Sequence, residues 1–471
     1  MADTTDSRRA NSLDALRGFA ILTMILSGRV PWGVLPGWMY HVQVPPPAHK
    51  FDPSIPGISW VDLVFPFFLF SMGAAFPFAL SKKLEKAGSA WKLIPDILWR
   101  GALLMFFALV IFHIRPHLLH KTETTATYFL AISLFTLLFL IFLRYPTGWS
   151  KNVVYSIKGV STSILILFLS VFTFSNGEGF SFRRFDIIIL VLSNVAIAGS
   201  IIWIFTRSNL MIKLLILALL FGIRLSFSVE GNWIALAGKE WPGNLLFQLT
   251  FLKYLFIIIP GMIAGDILYT QNKQKQDDAT DAPVASVIMI AVSAFGLILI
   301  SLVGLYIREI FITFLVSLSV LALMYILMKR SGTNLFIKFR ELFLWGAVWI
   351  ILGLLFEPFE GGIKKDPSTM SYYFLTSGLA IMMLIGFSLL FTNLHLTRYF
   401  SLLIDSGKNP MLAYAAGTNL LTPLVMLTGI QPLLIELLPG MWPGVVRGII
   451  LTLILAIMVM FFTRKNLFWR T

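Results

Sequence analysis

Apolar runs of roughly 17 to 25 residues, closed off by short polar loops, recur along the whole chain without the two-residue alternation of a β-barrel. Runs of that length cross about 30 Å of hydrocarbon as helices, which satisfy their own backbone groups in lipid. The pattern predicts spans near residues 13–30, 61–80, 93–112, 128–143, 154–174, 185–205 and 211–227. A second set follows near 246–268, 284–307, 310–328, 342–356, 372–391, 411–427 and 445–462. The count is about fourteen (12–14), and the tightest separation is Arg308-Glu309, between the ninth and tenth. The predicted fold class is an all-α polytopic membrane protein, one helical bundle forming a single transmembrane domain over residues 1–471.

Composition excludes a soluble domain: 57% of residues are hydrophobic and 13% charged. With the amino terminus in the cytoplasm, alternate loops hold about twenty-one Lys and Arg inside and about nine outside. Both termini are thus expected to be cytoplasmic, with residues 1–12 a cytoplasmic tail and 31–60 an external loop. Residues 271–283, polar and without apolar periodicity, read as a flexible cytoplasmic connector. No removable signal peptide is expected, because no small-residue cleavage site follows Leu13. The net charge of +14 reads as topology and contact with the lipid bilayer, with no nucleic-acid partner. Zero cysteines leave any acyl relay to His, Ser, Thr, Asp or Glu.

Only six histidines occur, and one of them, His49, stands in the loop that leads through Gly57, Ser59 and Asp62 into the apolar run LVFPFFLFSMGAAFPFAL. An imidazole at a helix mouth is a candidate for proton chemistry, with His41 the second choice. Both also suit polar positions in an interfacial belt with Trp38, Tyr40 and Trp60. Asp62 fits a capping box with Ser59, and equally a carboxylate orienting an imidazole. Asp14 and Arg17 lie one turn apart and predict a local ion pair. His113, His117 and His120 are spaced by three or four, but Pro116 interrupts them and no metal is expected. Gly18, Gly73, Gly261 and Gly265 predict close helix packing.

Collinear motifs at both ends carry a resemblance. Leu13 to Gly18, Gly57 to Phe70 with its Asp-Leu-Val-Phe-Pro core, and Trp99-Arg100 resemble the heparan-alpha-glucosaminide N-acetyltransferase family of transmembrane acyltransferases. Lys365, Asp366, Ser371 and Tyr372 match a second family segment, Gly407 to Pro410 with Tyr414 a third, and Arg464 to Trp469 the carboxyl-terminal one. The chain departs from the family near Ser368, where a Trp is replaced, and in the longer stretch between its histidine and Gly57.

The resemblance implies acetyl transfer from cytoplasmic acetyl-CoA to an amino sugar or glycan on the external or periplasmic side, with His49 or His41 as general base or acyl carrier and Asp62 beside it. It implies that Arg17, Arg100, Lys408 and Asn409 bind the donor, and that Asp14, Lys365, Ser371, Tyr372 and Tyr414 hold substrate. Arg100, about two turns into its span, is expected to face the bundle interior. A bacterial inner-membrane location and a homodimer are further expectations of the resemblance. The alternative is an amino-sugar transporter related to N-acetylglucosamine, which performs no acyl transfer and for which broken spans and buried charges would be equally natural.

Overall fold

The computed structural model describes residues 4–146, 148–227, 229–239, 245–273 and 282–470. Among them, twelve helices are long and apolar enough to cross a membrane, from Trp60–Ala87 to Met441–Arg464. Helices Thr4–Ser27 and Asn334–Leu355 occupy the other two expected positions. The second of these carries Lys338, Arg340 and Glu341 in its first half, which shortens its apolar stretch. The chain is a multi-pass integral membrane protein built of helices, as its pattern predicts. The first helix begins at Thr4, within the expected tail 1–12. Nothing in TTDSRRANS, free of Gly and Pro, stops the helix from running back from Leu13. Of the expected connector, residues 274–281 lie outside the described residues.

Two compact units interleave along the sequence. The first comprises Met1–Leu93, Gly199–Ser228 and Lys253–Gly407, and the second Ile94–Ala198, Val229–Leu252 and Lys408–Thr471. In the first, Met370–Thr392 is buried along nearly its whole length. Helices Trp60–Ala87 and Leu255–Lys273 cross so closely that a Cβ on Gly73 would strike the Ile258 carbonyl, and one on Gly261 or Gly265 the carbonyl of Phe70 or Ala74. Small residues bring backbones together where lipid supplies no hydrophobic drive between helices. Gly18 and Gly407 meet similarly, each against the other segment's backbone. Arg17 seals that contact, donating to Asp14 Oδ1 at 3.1 Å and to the carbonyls of Gly407 at 3.1 Å and Ser71 at 3.4 Å.

In the second unit, Trp469 is buried among Phe107, Phe135, Phe139 and Phe142. Asn409 holds this carboxyl-terminal segment from both sides, accepting from Trp469 N at 3.0 Å and donating to Leu467 O at 2.9 Å. Helix Pro410–Leu427 passes through a π-turn at Gly417–Leu421.

Candidate functional site

Two loops of the first unit, remote in sequence, lock together at the start of helix Trp60–Ala87. Gln43, fully buried, exchanges both amide bonds with the Asp366 backbone: its Nε2 donates to Asp366 O at 2.5 Å, and its Oε1 accepts from Asp366 N at 2.9 Å. Gly57 N donates to Ile363 O at 2.7 Å. Gly57 takes φ +126°, and a Cβ there would stand 3.2 Å from the Leu305 carbonyl, so both backbone angle and space require glycine. The helix then opens on the predicted capping box, Ser59 with Asp62, a device that contributes roughly 0.5–2 kcal/mol.

Asp62 is fully buried, and its two oxygens are used differently. Oδ2 accepts from Ser59 N at 2.9 Å, while Oδ1 lies 3.0 Å from His41 Nδ1 and 3.9 Å from Lys365 Nζ. Nδ1 accepts from the Gln43 backbone N–H at 3.2 Å. Asp62 Oδ1, 3.0 Å from the same nitrogen, makes no hydrogen bond among the described residues. His41 Nε2 is buried and likewise has no hydrogen-bond partner among the described residues. Even the main chain of Asp62 is used. Pro66 has no N–H to offer the Asp62 carbonyl one turn back, and Tyr372 Oη donates to that carbonyl instead, at 2.7 Å.

Asp366 Oδ2 stands 4.0 Å from His41 Nε2, too far for a hydrogen bond and near enough for charge to act. Burial opposes ionisation of Asp366, but His41, Lys365 and Lys253 outweigh it and hold its carboxyl below the usual range. A carboxyl depressed in the folded state stabilises that state above the unfolded value of 3.8, and the contribution disappears as pH falls through the lower folded value. The backbone amides of residues 364–370 are therefore expected to keep their hydrogen-exchange protection down to about pH 4 and to lose it in more acid solution. Asp366→Asn should remove that acid step; a step already complete at about pH 5 would assign the docking to another group.

His49 is turned elsewhere. Its Nε2 faces the Gly33 backbone, 2.7 Å from O and 3.1 Å from N, and its ring is wedged edge-on between Trp32 and Tyr40, 4.6 Å from each. Of the other residues singled out in the sequence, Lys365 and Tyr372 join the Asp62 cluster, while Ser371 Oγ donates to Gly353 O at 2.7 Å and fastens two helices. The predicted Asp14–Arg17 pair forms, within the Gly407 contact. Four lie in the second unit: Arg100, Lys408, Asn409 and Tyr414. Arg100, expected to face the interior, is exposed. It is the seventh residue of helix Ile94–His113, and its long aliphatic stem can carry the charge outward. Lys408 is half-buried at the end of helix Ser401–Lys408. Tyr414 donates to Asp186, which also pairs with Arg115 at 2.5 Å.

Asp186 escaped the sequence reading because it fell at the edge of the predicted span 185–205, where the structure has its side chain accepting from Ile189 N at 3.0 Å at the start of helix Ile187–Thr206. A second omission is Lys213, read as a topological charge and found fully buried in an ion pair with Asp266. Asp266 also accepts from Trp203 Nε1 at 3.0 Å and, with Ser81, Arg207 and Tyr269, lines a cavity of about 410 Å³. Cation and carboxylate are fifty-three residues apart, a distance at which nothing in the sequence marks them as partners.

The family described as Domain of unknown function (DUF5009) matches residues 9–268, more than half of the chain. Over 103 residues the chain is 30% identical to heparan-alpha-glucosaminide N-acetyltransferase of Homo sapiens, a stretch covering 22% of this chain and 14% of that protein's length.

Proposed function

This chain belongs to the DUF5009 family, and from the geometry of its site we propose that it is a membrane acyltransferase that moves an acetyl group from acetyl-CoA to an amino sugar or glycan. One observation carries the reading: a half-buried imidazole at a helix mouth set between two carboxylates, with Asp62 Oδ1 3.0 Å from Nδ1 and Asp366 Oδ2 4.0 Å from Nε2. Likeness to a protein named for N-acetyl transfer adds to it.

His41 Nε2 takes the proton from the acceptor's amine or hydroxyl as that group attacks the thioester carbonyl. The new C–N or C–O bond forms, the C–S bond breaks, and His41 returns the proton to the leaving thiolate. Asp62 stabilises the imidazolium through Nδ1, and Asp366 faces the new positive charge at Nε2. Donor arrives from the cytoplasm and acceptor from the opposite side, following the bias of basic residues between loops.

The test is reconstitution in proteoliposomes with labelled acetyl-CoA on one side and a panel of amino sugars on the other. Label should appear in the sugar, with release of free CoA. Sugar flux without label transfer would replace this reading with the transporter, which the buried Lys213–Asp266 pair beside its cavity favours.

A further inference from the structure

Helix Leu210–Phe227 is an outlying element of the first unit, with only 11% of its apolar window buried. Its two cations, Lys213 and Arg224, stand about three turns apart and so share one face. Both are turned inward, Lys213 onto Asp266 and Arg224 onto the loop that carries Asp366. The sequence offers no reason to prefer this arrangement to an arginine reaching for the interface.

The Arg224 guanidinium makes a fork. Nη2 donates to Ser368 O at 2.7 Å and to Glu360 Oε1 at 2.5 Å. The same group lies over the Tyr373 ring, its Cζ 5.4 Å from the centroid. Glu360 in turn accepts from Met370 N through Oε2 at 2.7 Å. Between those two held points, Lys364 N donates to Thr369 Oγ1 at 3.0 Å and Thr369 N to Lys364 O at 3.1 Å, closing residues 364–370 into a turn. Gln43 grips the turn at the Asp366 backbone, and Arg224 grips it two residues further on, at Ser368.

We propose that Arg224 is a positioning residue for the acyl-transfer reaction, fixing the turn that places Asp366 opposite His41 Nε2. The inference rests on the acyltransfer reading of the His41 centre. Asp366 is carried on this turn, so its distance to the imidazole depends on how the turn is held at Gln43 and at Arg224. A displacement of about 1 Å at such a distance costs on the order of 10²-fold in rate. Lysine is a poor substitute, since one ammonium cannot present two donors in a fixed plane to Ser368 and Glu360.

The experiment uses the full chain with Arg224→Gln, Arg224→Lys, Asp366→Asn and the Arg224→Gln/Asp366→Asn pair, read by hydrogen exchange and by transfer kinetics. In Arg224→Gln the amides of residues 364–370 should exchange about tenfold faster, and kcat should fall on the order of 10²-fold with the donor KM within about twofold. Arg224→Lys should recover part of both. In the Asp366→Asn background the further loss from Arg224→Gln should be less than about threefold, because the group it positions is already gone. Unchanged exchange in Arg224→Gln overturns the proposal whether or not the protein transfers acyl groups. Full multiplication of the two losses overturns it as well, by giving Arg224 an effect independent of Asp366. Faster exchange in a protein that transfers nothing supports the hold on the turn and sinks the acyltransfer reading instead.

Discussion

Alanine in place of His41 is expected to lower acetyl transfer by about 10³-fold, while His49→Ala should cost less than about tenfold. The difference follows from what each ring touches. His41 sets Nδ1 3.0 Å from Asp62 Oδ1 and Nε2 opposite Asp366, so its removal takes away the proposed proton acceptor and, among the described residues, leaves the buried Oδ1 with Lys365 3.9 Å away. His49 spends its Nε2 on the Gly33 backbone and its faces on Trp32 and Tyr40, so its removal loosens the loop without touching the proton path. Steady-state kcat/KM for both variants, with CoA release measured separately, checks the claim. A dead His49→Ala beside an active His41→Ala would move the centre to the Trp32–Tyr40 box.

Lys213→Met is expected to destabilise the first unit by on the order of 3–5 kcal/mol, since it strands the Asp266 carboxylate against a wall built for an ion pair. For a chain of this size that is a Tm drop of roughly 3–5 °C in detergent. Asp266 would retain the Trp203 indole N–H, which satisfies one oxygen and does not neutralise the charge. The double replacement Lys213→Met/Asp266→Leu should recover most of the loss, because replacing both charges by apolar groups of similar volume removes the desolvation cost together with the attraction. A single variant as stable as the parent would show that water in the adjoining cavity already solvates Asp266.

The legible parts of the site were local ones. The Ser59–Asp62 capping box, the Asp14–Arg17 pair and the close contacts at Gly73, Gly261 and Gly265 follow from spacing within one helix or from residue size, and the structure contains each of them. Lys365 and Tyr372 came through the family resemblance, and they do stand beside Asp62. What escaped has long sequence separation in common. Gln43 meets Asp366 across more than three hundred residues, Arg224 meets Ser368, and Tyr414 meets Asp186. Each is a polar residue in a loop or near a helix end, where hydropathy records only that the position is not apolar.

By itself the sequence determined that this chain crosses the membrane many times as helices, because in hydrocarbon the backbone must satisfy its own hydrogen bonds and about 20 consecutive apolar residues suffice to read each crossing. It also placed two histidines at one helix mouth without choosing between them. Only the tertiary structure distinguishes their surroundings, by bringing Asp62, Lys365 and Asp366 to His41 and the Gly33 backbone to His49. An imidazole becomes a base through what faces its two nitrogens, and those neighbours are fixed by how distant loops close on one another.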